Sequence, residues 1–326
     1  MLGNGKMRAA VPADGRIEIV EVPVPTLGPR EVLVEVRAAG MNRADLLHRQ
    51  GKYGQRAFLH PDRPNIAGME MAGKIVAVGS AANREHIGRG VMAMCAGAYA
   101  EYVAVDERLL LPAPPGLDWA GCAALPMALL TEFEALVRLA GVRPGHRVLV
   151  TGATSGVGLI GVQLAKALKA GTVIGTTRSR QAAGLLRSLG ADLVVHDERE
   201  LAESLADEGV DVVVDHVGGP IFEACVPLVR KGACLVSVGR LGGRTATVDL
   251  AALSSQRARL IGTTWRTQEL SEIAYSVDAL QDVVFRHVLD GSIAPIAAQQ
   301  VPFPEIDQGY ESLSSARDPG KLAVIF

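Results

Sequence analysis

The stretch Val148-Leu-Val-Thr-Gly152-Ala-Thr-Ser-Gly156-Val-Gly158-Leu-Ile-Gly161 constrains the fold of this chain more than any other. A short apolar run leads into a turn of small residues. An apolar helical pattern follows through Val162, Leu164, Ala165 and Leu168. That order is a strand, a glycine turn and a helix N-terminus. Glycine lets backbone turn sharply and approach a ligand, and free N–H groups at a helix start attract phosphate. A dinucleotide is the expected ligand, held by Thr154, Ser155, Gly156, Val157 and Gly158. The plain alternative is a tight strand-to-helix connection with no ligand.

The next strand narrows the choice of dinucleotide. In NAD-binding domains an acidic residue about 20 positions past the glycines accepts from the ribose hydroxyl. Here Thr172-Val-Ile-Gly-Thr-Thr177 is followed by Arg178-Ser179-Arg180, and no Asp or Glu stands between Gly158 and Asp192. Two arginines and a hydroxyl suit a 2′-phosphate, which a carboxylate would repel. NADPH is favoured over NADH, with Thr177, Arg178, Ser179 and Arg180 as its contacts. The bland reading makes the arginines solvated residues opening a helix, where their charge sits poorly with the dipole.

Composition excludes several classes. With 48% apolar and 21% charged residues, the 326-residue chain reads as globular and long enough for two domains. A formal net charge of -2 implies no general attraction to nucleic acid or anionic membranes. The apolar runs look strand-sized and interrupted, so no transmembrane helix is expected. The opening Met1-Leu-Gly-Asn-Gly-Lys-Met7 lacks an apolar signal core and reads as a disordered lead-in. Cys95, Cys122, Cys225 and Cys234 show no paired spacing. They suit buried positions in a reducing cytoplasm.

Along the chain, β-branched runs at 7–11, 16–22, 32–38, 73–78, 90–95 and 100–105 are separated by Pro and Gly. Short strands so spaced suggest a barrel-like antiparallel unit. A helical segment spans about 117–140. From 147 onward strand and helix alternate, which reads as a doubly wound parallel sheet. Its strand-end loops carry Asp215-His-Val217-Gly-Gly219 and Gly239-Arg240-Leu-Gly-Gly243. Such loops face a ligand at the carboxyl ends of the strands, unless they are only turns. After Gly262 come a helix over 269–289, a strand near 297–301, a short helix over 305–314 and a last strand over 322–326. These do not extend the alternation. The expected fold is α/β: a dinucleotide-binding domain over 126–262, and a discontinuous β-rich domain over 1–125 and 263–326.

Ala39-Gly-Met-Asn42-Arg-Ala-Asp45, Gly51-Lys-Tyr53, Pro64-Asn-Ile-Ala-Gly68-Met-Glu70-Met-Ala-Gly73, Gly262-Thr-Thr-Trp-Arg266 and Gly320-Lys321-Leu stand in order along the chain. With the glycine turn, they resemble the zinc-independent quinone oxidoreductases of the medium-chain dehydrogenase/reductase superfamily. The resemblance covers essentially the whole chain. It implies a Rossmann-type sheet plus a GroES-like catalytic domain. Zinc alcohol dehydrogenases of that superfamily place Cys where Asn42 stands and His where Met69 stands. Asn and Met cannot form the N/S set of catalytic zinc, so no metal is expected. The glycine turn also looks like that of short-chain dehydrogenases. Here it begins near residue 151, and no Tyr has a Lys four positions later.

The resemblance also implies site roles. Asn42 and Tyr53 line the nicotinamide pocket, Tyr53 as a donor to the substrate oxygen or merely as a wall. Thr131 lies near the nicotinamide and His196 near the adenosine phosphate. Arg266, Arg317 and Lys321 are candidate cations near the cofactor. The implied activity is NADPH-dependent reduction of quinones or α,β-unsaturated carbonyls, by a homodimer paired through its dinucleotide domains. An enoyl-thioester or 2-alkenal reductase on the same scaffold remains open. So does a non-catalytic protein that keeps the dinucleotide as a sensor or structural ligand.

Overall fold

The computed structural model describes residues 5–52, 62–315 and 318–326. The chain forms two compact units. The first comprises Met1–Met127, Trp265–Phe285 and Pro295–Phe326; the second comprises Ala128–Thr264 and Arg286–Ala294.

The first unit begins with the antiparallel hairpin β1 (Lys6–Ala13) and β2 (Arg16–Pro23). Its two-residue turn is Asp14-Gly15, both with positive φ (45° and 77°), the chemistry of a tight hairpin. The main sheet is built on β3 (Glu31–Gly40), β4 (Glu70–Val78), β5 (Gly90–Met94), β6 (Tyr102–Asp106) and β7 (Leu111–Pro112). The last strands, β14 (Ala297–Pro302) and β15 (Lys321–Ile325), complete it in the order β14-β15-β3-β4-β5-β7, with β6 also on β3. β14 and β15 run parallel and the other pairs antiparallel, so the sheet is mixed. The helices α1 (Arg43–Arg49) and α2 (Trp119–Ala123) lie in this unit, which α3 (Pro126–Glu132) leaves for the second.

The second unit holds a six-stranded, wholly parallel sheet. Its strands are β8 (Arg147–Val150), β9 (Thr172–Thr176), β10 (Leu193–Val195), β11 (Val210–Asp215), β12 (Val229–Ser237) and β13 (Arg259–Gly262). The order β10-β9-β8-β11-β12-β13 is the 3-2-1-4-5-6 winding of a Rossmann fold. Valines and leucines of β8 and β11 are wholly buried, as expected of strands covered on both faces. The connections carry α4 (Gly156–Ala167), α5 (Ala183–Ser188), α6 (Glu198–Leu205), α7 (Pro220–Cys225) and α8 (Leu250–Ser255).

The run expected as one helix over 269–289 is broken at Val284 into α9 (Leu270–Val283) and α10 (Phe285–Leu289). The chain then reaches Ala294, whose N–H and C=O both bond the Gln163 side chain, at 2.9 and 3.0 Å. That tie belongs to the second unit, although 263–326 was expected to lie wholly in the first. The helix α11 (Ile306–Ser315) packs beside β14 and β15. One helical stretch, Trp119–Leu139, is long and apolar enough to cross a membrane, and 94% of its apolar window is buried inside the protein. The sequence marks the helical segment, but Glu132, Glu134 and Arg138 shorten its apparent apolar run.

Candidate active site

β8 delivers the chain into the glycine turn at the switch point of the sheet, where strand order reverses. Ser155 caps α4: its Oγ accepts the Gly158 N–H at 3.0 Å. The cap orders the first turn of a 12-residue helix whose remaining N–H groups, from Gly156 and Val157, open toward the turn. A Cβ on Gly158 would stand 2.6 Å from the Gly152 carbonyl oxygen, so only glycine allows this helix to start so close beneath its own turn.

Three neighbouring strand ends bring sequence-distant candidates into one row. The Thr154 and Thr177 hydroxyls lie 3.3 Å apart, and Ser179 donates its N–H to Thr177 Oγ1 at 3.2 Å. Beyond them, His196 Nδ1 donates to the Thr177 carbonyl at 2.9 Å. Arg178 and Arg180 are exposed beside this row. Neither guanidinium has an ion-pair partner among the described residues.

On the other side of β8, Asp215 is wholly buried and organises the loops. Its Oδ1 accepts from Thr151 Oγ1 at 2.6 Å and from the Val217 N–H at 3.1 Å; its Oδ2 accepts the Gly218 N–H at 2.9 Å. Its carbonyl accepts the Gly239 N–H at 3.0 Å, joining the ends of β11 and β12. Val217, Gly239 and Arg240 therefore come together at the crevice, with Arg240 exposed. Arg240 also borders a hollow of about 300 Å³ with Gly218, Gly219 and Ser237.

Thr131 is buried in α3, and the next residue, Glu132, is wholly inaccessible. The Glu132 Oε1 atom lies 2.7 Å from His216 Nε2. Among the described residues neither atom has another polar partner. Sequence reading assigns no role to Glu132, His216 or Asp215. The strand-end position of Asp215-His216 is the only signal available for them.

In the first unit, Asn42 is buried at the start of α1. Its N–H donates to Asp45 Oδ2 at 2.7 Å, and its Nδ2 donates to Glu70 Oε1 at 2.7 Å. Glu70 Oε2 accepts the Met127 N–H at 2.9 Å. Lys321 does not extend toward solvent: it is buried and ion-paired to Glu70 Oε1. There it supplies a counter-charge for the buried Glu70. Tyr99 donates its hydroxyl to Asp45 Oδ2 at 2.8 Å. Burial pushes the Asp45 carboxyl up to about 7, against the hydrogen bonds from Asn42 and Tyr99 that favour its charged form. Arg266 is exposed in a short helical turn, Trp265–Thr267. Tyr53 and Arg317 lie outside the described residues.

Residues 28–115 match the alcohol dehydrogenase GroES-like domain, and residues 156–280 match the zinc-binding dehydrogenase family. The chain superposes on an alcohol dehydrogenase superfamily protein from Novosphingobium aromaticivorans with a TM-score of 0.87 and 30% identity. That match covers 98% of this chain and 99% of the other. The quinone oxidoreductase of Thermus thermophilus, whose complex with NADPH is also solved, gives a TM-score of 0.83 and 30% identity. It covers 98% of this chain and 100% of that one. The chain belongs to the zinc-independent quinone oxidoreductase family of the medium-chain dehydrogenases/reductases. The chloroplastic NADPH-dependent alkenal/one oxidoreductase of Arabidopsis thaliana is 34% identical over 72% of this chain, which spans 62% of that protein's length.

For this family member, the donor sets can be weighed against each candidate ligand. Asn42 is committed to Glu70, and Met69 is buried beside it. Among the described residues no three His, Cys, Asp or Glu side chains converge as a metal site. The crevice of the second unit suits a dinucleotide instead. It offers a capped helix start, a glycine turn no side chain could replace, and two exposed arginines one strand away.

Proposed function

We propose that this protein reduces quinones or α,β-unsaturated carbonyls with NADPH, without a metal. The observation that carries the reading is the strand-end row Thr154–Thr177–Ser179–His196 with Arg178 and Arg180 exposed beside it. No Asp or Glu stands between Gly158 and Asp192, so a 2′-phosphate beside the end of β9 would meet Arg178 and Arg180. The pyrophosphate would lie against the Gly156–Gly158 helix start, where backbone N–H groups and the dipole favour negative charge. Bound NADPH supplies the hydride. The chain's own work is positioning, water exclusion and stabilising charge on the substrate oxygen. Asn42 is held in one orientation by Glu70 and so serves to position rather than to transfer a proton. Tyr53 is assigned the donor to the substrate oxygen.

The test is NADPH oxidation against a panel of quinones, enals, enones and enoyl-thioesters, with and without EDTA. Turnover of a quinone or enone that survives chelation is expected. Activity confined to enoyl-thioesters would move the reading to that substrate class. Tight NADPH binding with no turnover of any acceptor would make the protein a dinucleotide-binding sensor or structural protein.

We also propose a homodimer joined through β13. This strand is the open edge of the parallel sheet, and it exposes Leu260. An uncovered edge with an apolar side chain invites pairing with a second copy.

A further inference from the structure

The buried Glu132–His216 pair takes no part in the chemistry proposed above, yet the second unit makes room for it. A Cβ on Gly161 of α4 would stand 2.7 Å from both Glu132 carboxylate oxygens. The backbone of His216 is tied on three sides. Its N–H donates to Thr151 Oγ1 at 3.0 Å. A Cβ on Gly239 would come within 2.1 Å of its carbonyl oxygen, and one on Gly152 would lie 3.7 Å from its Cβ. His216 therefore touches the glycine turn, the β12 loop and, through Glu132, the helix that carries Thr131. It immediately precedes Val217-Gly-Gly219.

Burying two charges is costly, and replacing such a pair by apolar residues is often neutral or stabilising. Stability alone is therefore a poor reason for it. We propose that the Glu132–His216 pair is a positioning device for the dinucleotide crevice. With His216 protonated, the pair holds the Thr131 helix, the Thr151–Gly152 turn and the Val217–Gly219 loop in the arrangement that binds NADPH. The inference rests on the NADPH reading above.

Two carboxylates act on the imidazole: Glu132 from α3, and Asp215 from the end of its own strand. The turn after β8 presents only the Thr151 hydroxyl and Gly152, the β12 end presents Gly239, and α4 presents uncharged Gly161 to Glu132. Burial opposes the charged ring, but Glu132 and then Asp215 outweigh it, and His216 is raised above its ordinary 6.5. Below that raised value the pair is charged and intact. As pH rises through it, His216 loses its proton and Glu132 remains buried without a counter-charge. NADPH affinity then falls.

The experiment is NADPH titration by fluorescence between about pH 7 and 9.5, where the 2′-phosphate stays ionised. The full chain is compared with Glu132→Gln, His216→Gln and the double variant. The unmodified protein is expected to bind NADPH more weakly toward high pH. Each single variant should bind about tenfold more weakly near pH 7 and lose that pH dependence. The double variant, a neutral pair of amides, should bind better than the two single losses combined predict. In steady-state assays the loss should fall on KM for NADPH more than on kcat. A flat affinity profile in the unmodified protein overturns the inference. So do single variants that lower only the thermal midpoint and leave NADPH affinity unchanged. If single variants do not fold, the profile of the unmodified protein and the double variant decide. An unmodified protein that binds no NADPH refutes the proposed function itself, and is told apart because that titration comes first.

Discussion

Single residues in this protein are set by what burial does to their charge. Asp45 is wholly buried, and its Oδ1 has no hydrogen-bond partner among the described residues. Its carboxyl is raised from 3.8 to about 7, mainly by loss of water. A carboxyl that holds its proton more tightly when folded stabilises the native state below its unfolded value. That contribution is lost as pH rises through about 7. Urea unfolding of the unmodified protein should therefore weaken between pH 4 and 7, by at most about 1.4 kcal/mol per pH unit from this group. Asp45→Asn keeps an acceptor for Asn42 and Tyr99 and should flatten that slope; an unchanged slope would remove Asp45 as its source. Arg178 and Arg180 represent the opposite case, exposed charges that the proposed function places at the 2′-phosphate. Replacing both with Ala should raise the Kd for NADPH by about 10- to 100-fold and leave NADH nearly unaffected, read by fluorescence titration. Equal losses for both cofactors would place the arginines elsewhere than at the 2′-phosphate.

Among the elements, α4 shows most clearly how local sequence and close packing divide the work. The glycines were legible as a helix start, but it was the structure that showed Ser155 as the cap of α4, which begins at Gly156. The 2.6 Å approach of a Gly158 Cβ to the Gly152 carbonyl depends on how the strand feeds the turn, and no spacing rule encodes it. Gly158→Ala should lower the thermal midpoint and weaken NADPH at least as much as Ser155→Ala, whose lost cap costs about 1 kcal/mol. Differential scanning fluorimetry with and without NADPH measures both, and a fully native Gly158→Ala protein would contradict the close packing. The sequence reading passes over the helix α6, although Asp197 and the acidic Glu198-Arg-Glu200 form an ordinary helix start. Asp197 caps it through the Glu200 N–H, and only Leu201 and Leu205 are buried. Two apolar residues four apart are too faint a period to read alone.

At the scale of the molecule, the parallel sheet ends in β13, with Leu260 at 45% exposure and Leu241 and Leu250 at 70%. Isolated exposed leucines are ordinary, but here three lie on the β12–β13 side of one unit. The expected outcome is a dimer mass by light scattering at micromolar concentration. Leu260→Lys should shift it toward monomer without loss of fold by circular dichroism. A monomeric unmodified protein would remove the proposal.

Sequence alone determined what depends on neighbours along the chain. The Val148–Val150 run and the small-residue turn were readable as a strand and a helix start, because strand period and glycine are local signals. Arg178-Ser-Arg180, with no acid before Asp192, is likewise a local pattern, and the preference for NADPH drawn from it is a proposal. The alternation beyond residue 147 was enough for a doubly wound sheet, while the strand order β10-β9-β8-β11-β12-β13 came from the structure. Only the tertiary structure decided the partners of buried charge. Glu70 meets Asn42 and Lys321 across 28 and 251 positions of chain, and Glu132 meets His216 across 84. A buried charge takes whatever counter-charge folding brings beside it. That choice is made by packing in three dimensions, where sequence separation carries no information.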